Sequence, residues 1–78
     1  MPIEYKKNAA VFVDLVAVEE AEGLLGWLQN KPDAKVDLGA CSHMHPANLQ
    51  ILMAAKSGVS VWPIDVNFRS LLKTALNT

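Results

Sequence analysis

Cysteine is almost missing from this sequence: Cys41 is the only one in 78 residues. That excludes an intrachain disulfide framework and any Cys-x-x-Cys redox or zinc module. Basic clusters are missing too. Lys6-Lys7 is only a pair, the net charge is −1 and the pI is near 6.0, so nothing tracks a phosphate backbone and no nucleic-acid partner is expected. No apolar stretch approaches the roughly 18 residues that a membrane span needs. The opening "MPIEYKKNAAVFVDL" carries acidic residues and lacks the charged-then-apolar layout of a secretory leader, so a cytoplasmic location is expected. There is no repeat, low-complexity segment or linker, which makes residues 1–78 one domain.

What is present is apolar. The chain is 51% hydrophobic with a mean hydropathy of +0.18, although a domain of this size buries only about 60% of the surface its unfolded chain exposes. Either its elements are covered on most sides, or a partner covers part of the surface.

The apolar residues change period along the chain. Ile3 and Tyr5 alternate with Glu4 and Lys6, and "AAVFVDL" is rich in β-branched and aromatic residues. The pattern predicts a hairpin of Ile3–Lys7 with Ala10–Asp14, turning near Asn8. From Val18 the spacing becomes helical, with Ala21, Leu24, Leu25 and Leu28 on one face. Glu19, Glu20 and Glu22 suit its first turn, where the helix dipole favours negative charge. Pro32 ends it. Gly23 and Gly26 cost this helix about 1 kcal/mol each relative to alanine, and their spacing suggests close approach to the sheet. Trp27 falls one position out of phase with the apolar stripe, at the edge of the core or exposed.

"AKVDLGA" predicts a short strand with Val36 and Leu38 as its apolar positions. "PANLQILMAAKSG" predicts a helix over Pro46–Ser57, with proline at its first position and Gly58 just past its end. Leu49, Ile51, Leu52, Met53, Ala54 and Ala55 cover most of its circumference, so burial on more than one side is expected. "VSVWPID" gives a strand over Val59–Trp62, halted by Pro63. Asp65 is placed to cap a last helix with Phe68, Leu71, Leu72, Ala75 and Leu76 as its stripe and Arg69, Lys73 and Asn77 opposite. The expected core includes Leu38, Leu52, Val61 and Leu72. The order ββαβαβα implies an α/β domain with a mixed four-stranded sheet and three helices, its parallel strands joined by right-handed crossovers.

The stretch "VDLGACSHMHPANLQILMAA", Val36 to Ala55, resembles the signature of STAS domains, the fold of bacterial anti-sigma-factor antagonists. Many of these carry V-D-L-S-x-V-x-x-x-D-[ST]-[SA]-G-L-x-x-L-L, and versions ending D-T-A-G-L-Q-L-L-L-A match here at Ala47, Leu49, Gln50, Leu52 and Ala54. The motif match covers about residues 35–56, and the element order covers the rest. Many family members add a fifth strand and a fourth helix, so the resemblance implies a minimal version. The family's Asp falls on His45, its hydroxyl or small positions on Pro46 and Ala47, and its Gly on Asn48. The phosphorylated serine of the sigma-regulating members would stand at Ala47, which has no hydroxyl. The usual switch, which adds about two negative charges at a helix N-terminus, is therefore expected to be absent. Ser42 precedes the helix and is not the motif serine.

Cys41, His43 and His45 stand at alternate positions. In an extended chain they would point to one side, and three N/S donors with a water would suit a catalytic zinc. All three come from one five-residue stretch, with no acidic group nearby in sequence to orient them. A Cys41–histidine nucleophile would need a lowered thiol pKa and an oxyanion hole, and no residue here signals either. The plainer reading makes Cys41 a small buried residue and His45 an N-cap whose neutral imidazole accepts from a backbone N–H. The functional expectation is a non-enzymatic protein-interaction module without a cofactor. Its partner surface would be the polar lip of His43, His45, Pro46, Ala47 and Asn48 with the flank of the following helix. The resemblance implies a switch kinase or anti-sigma factor, a chemotaxis-type regulator or a transporter subunit as partner, and leaves homo-oligomers open. The alternative is a small-ligand or metal-binding domain using Cys41, His43 and His45.

Overall fold

A computed structural model describes residues 2–76. Its elements run β1 (Ile3–Tyr5), β2 (Ala9–Val16), a 3-10 turn (Val18–Glu20), α1 (Ala21–Asn30), β3 (Lys35–Met44), α2 (Pro46–Ala55), β4 (Gly58–Val61) and α3 (Val66–Ala75). The α/β class and the ββαβαβα order are as expected. The sheet order is β1-β2-β3-β4, with β1 antiparallel to β2 and the other pairs parallel.

This order decides which side of the sheet is covered. Each parallel strand is laid down one place further in the same direction, so crossovers of one hand return their helices to one face. Leu24 and Leu28 of α1, Leu52 of α2 and Leu72 of α3 accordingly share one core cluster with Ile3, Ala10, Phe12, Val36 and Leu38. The other face carries the cross-strand row Glu4, Val11, Asp37, Val61, none of which belongs to the core.

Several expectations are corrected by this layout. Val61 is 45% exposed rather than buried. The register jumps between Val36↔Val59 and Asp37↔Val61, so Ser60 is an extra residue in β4. A one-residue slip sends every later side chain to the opposite face. On that face Val61 lies so close to Gly39 that a methyl group there would sit 2.8 Å from Val61 Cγ1. Leu71 is 60% exposed, leaving Phe68, Leu72 and Leu76 as the packed stripe of α3. Asn77 lies outside the described residues.

In α2 only Asn48 and Leu52 are buried, while Met53, Ala54 and Ala55 are exposed, so this helix is covered on one side only. It also ends earlier than expected. Lys56 adopts the left-handed conformation, φ 53°, and its N–H reaches Leu52 and Met53 carbonyls. Glycine would take this position without the roughly 1–2 kcal/mol steric cost of a Cβ. Gly23 and Gly26 give no close approach: a methyl on Gly23 would stand 3.9 Å from the Tyr5 hydroxyl, and one on Gly26 would meet nothing. Trp27 is partly buried against the core edge, its ring 5.1 Å from that of Tyr5. Asp65 does cap α3, its Oδ1 accepting from Phe68 N–H at 2.8 Å.

Leu52 is fully buried at the centre of the helix layer. Leu52→Ala should cost about 2–5 kcal/mol, while Val61→Ala on the open face should cost well under half as much. Urea midpoints of the two variants check this placement, and equal losses would contradict it.

Candidate functional site

The residues singled out before α2 do not form a loop. Cys41, Ser42, His43 and Met44 continue β3, which stays paired with β2 up to Val16↔Met44. The pairing is interrupted twice. Val11↔Asp37 is followed by Val13↔Ala40, and Asp14↔Cys41 by Leu15↔His43. At the second interruption Ser42 is the unpaired extra residue, and Asp14 takes a left-handed φ of 55°. Two bulges break the two-residue alternation, so Cys41 and Met44 face the core while Ser42 and His43 face outward.

The alternate spacing of Cys41, His43 and His45 therefore does not bring them together. Cys41 is 5% exposed and its thiol donates to the His43 carbonyl at 3.4 Å. Burial pushes the Cys41 thiol pKa up. The negative charge of Asp14 adds to that shift, and the backbone of His43 partly offsets it. A raised pKa is the opposite of what a nucleophile needs. Both histidines are exposed. Among the described residues no group of three or more His, Cys, Asp or Glu is placed to hold a metal ion.

The start of α2 is built by three side chains in a row. His45 is the N-cap, in extended conformation, and its Nδ1 accepts from Ala47 N–H at 3.0 Å. This requires the nitrogen to be unprotonated. Pro46 fills the first helical position, where no N–H is wanted. Asn48 is turned inward and fully buried, so it is not part of an exposed lip. Its Nδ2 donates to the Ala17 carbonyl at 2.9 Å and the Val16 carbonyl at 3.4 Å, tying α2 to the end of β2. Its Oδ1 is buried without a hydrogen-bond partner among the described residues, an arrangement that costs about 1–3 kcal/mol. The backbone adds a second tie, His45 N–H to the Val16 carbonyl at 2.8 Å.

The exposed surface at this end thus consists of His43, His45, Pro46 and the partly exposed Ala47, joined by Leu15 (56% exposed) across from His43. Leu15 was not legible as part of it. A strand ending at Asp14 leaves Leu15 in a connection, and only the left-handed turn at Asp14 sends it outward. From here the surface continues along α2 through Gln50, Met53, Ala54 and Ala55, all exposed. Beside it lies a groove of about 320 Å³ between α1 and α2, lined by Leu25, Leu28, Gln29, Pro32, Ala54 and Ala55. From Pro46 to Ala55 no residue is charged. Among the described residues no helix is long and apolar enough to cross a membrane.

No protein-family model matches this chain, and no curated protein sequence matches it either.

Two outcomes follow from this geometry. His45→Ala should destabilise the fold by about 0.5–2 kcal/mol through loss of the cap, whereas His45→Asp should largely retain stability at neutral pH; denaturant midpoints give the comparison. Cys41 should react with an aromatic disulfide reagent in the native protein far more slowly than in urea. Equal native and denatured rates would contradict its burial.

Proposed function

We propose that this chain is a non-enzymatic protein-interaction module of a bacterial regulatory or transport system. It docks its partner on the exposed flank of α2 and the lip of His43, His45, Pro46 and Ala47. The observation that carries this reading is a helix with no charged side chain over Pro46–Ala55 that still exposes Gln50, Met53, Ala54 and Ala55. A helix facing only water normally has a charged or polar outer face. Contiguous apolar surface rimmed by polar groups marks an interaction site. The small side chains of Ala54 and Ala55 beside the α1–α2 groove suit an apolar anchor inserted from a partner.

The resemblance to STAS domains supplies the class of partner: a switch kinase or anti-sigma factor, a chemotaxis-type regulator or a transporter subunit. Ala47 occupies the position of the phosphorylated serine, so binding is constitutive or set by partner abundance. The closed, elevated-pKa environment of Cys41 and the divergence of Cys41 from the two histidines favour this reading over the metal-binding alternative.

The test uses the intact chain with a partner identified by copurification and then purified. Ala54→Glu places a charge in the groove and should weaken binding at least about ten-fold, equivalent to about 1.4 kcal/mol, while Lys6→Glu at the far turn should leave it unchanged. Adding a cognate serine kinase with ATP should not alter the affinity. Full affinity in Ala54→Glu would remove α2 from the interface.

A further inference from the structure

The two parallel pairings of β3 have unequal lengths. On one side β2 stays paired as far as Met44, but on the other β4 ends at Asp37↔Val61. From Leu38 to Met44 one edge of an interior strand is left without a neighbour, and among the described residues no turn or loop supplies backbone partners along it. Within this segment, local side chains hold only two backbone groups: Gly39 N–H donates to Asp37 Oδ1 at 2.9 Å, and the Cys41 thiol donates to the His43 carbonyl. Ala40, Ser42 and His43 are exposed, whereas Val11, Val13 and Asp37, in doubly flanked parts of the sheet, are only partly so.

The other edges are guarded. β1 is three residues long, preceded by Pro2 and followed by Lys6 and Lys7, and β4 is four residues long and followed by Trp62-Pro63. Short length, charge and proline are the usual protections of an edge strand. The segment from Leu38 to Met44 has no charged residue and no proline. Its bulges limit the number of bonds an added strand can make, and hence its affinity.

We propose that this slot, in line with β4, accepts an extended segment of a partner protein as an additional strand. An unpaired row of backbone N–H and C=O groups is complementary to one chemistry, another extended backbone, and the uncharged edge calls for an uncharged stretch in the part that pairs. Val61, 45% exposed, is the last paired residue of β4 and lies against Gly39, where it gives an apolar side chain of the added strand a contact. This contact uses the edge of β3 rather than the flank of α2 and shares only His43 with that surface, so either can fail without the other.

The test is an NMR titration of the intact chain with a capped heptapeptide, Lys-Thr-Val-Thr-Val-Thr-Lys, and with the same peptide N-methylated on every backbone nitrogen of its central Thr-Val-Thr-Val-Thr stretch, which blocks both of its edges. The first should give saturable shifts confined to the amides of residues 38–44 and 61–64, at high micromolar to about millimolar concentration. The methylated peptide keeps the side chains but loses backbone donors, and should bind at least about ten-fold more weakly. Absence of saturable shifts, shifts centred on α2, or equal binding of the methylated peptide would each overturn the proposal. Shifts of the same amides on concentrating the chain alone would assign the slot to a second copy and overturn it as well.

Discussion

Placing all three helices on one face of the sheet is the constraint from which the rest of this structure follows. The strands add in sequence order with parallel crossovers of one hand, so α1 and α2 meet the same apolar surface of Phe12, Val36 and Leu38, and α3, after the last strand, packs on it through Leu72. In a domain of this size that single layer is the whole core. Apolar residues beyond its reach stay outside, which is why Met53, Leu71 and Val61 are exposed in a chain of high overall hydrophobicity. The apolar composition thus includes uncovered surface on both the helices and the strands.

The junction between β3 and α2 shows how the core and the candidate site share parts. Asn48 reaches back to the carbonyls of Val16 and Ala17, and His45 both caps the helix and bonds the Val16 carbonyl through its N–H. These contacts hold the start of α2 against the end of β2. The residues resembling the STAS signature therefore have structural work here that needs no phosphate: Asn48 anchors, Pro46 opens the helix and His45 ends the strand. An interface assembled on this turn would be preorganised, with few side chains left to order on binding.

Irregular pairing gives the molecule its distinctive surfaces. The bulges in β3 turn Cys41 inward and Ser42 and His43 outward, and the extra residue in β4 turns Val61 to the open face. Each is a local departure of one residue, yet each reverses the fate of a side chain. The early end of β4 then leaves the edge of β3 beyond Asp37 without a paired strand among the described residues.

How much of this was legible depended on whether a residue's fate is local. The class, the element order, the Asp65 and His45 caps, and the burial of Leu38, Leu52 and Leu72 could all be read from periodicity and end signals, because helix faces and caps depend on neighbours within four residues. The length of β3, the inward turn of Asn48, the outward turn of Val61 and Leu15, and the separation of Cys41 from His43 could not. Those depend on pairing or packing with a strand distant in the chain, as in Asp14↔Cys41, Leu15↔His43, Asp37↔Val61 and the bonds of Asn48 to Val16 and Ala17. Sequence by itself determined which residues are apolar and how they repeat. Tertiary pairing alone decided which way they face, because a bulge shifts the two-residue period of a strand without leaving a mark in composition.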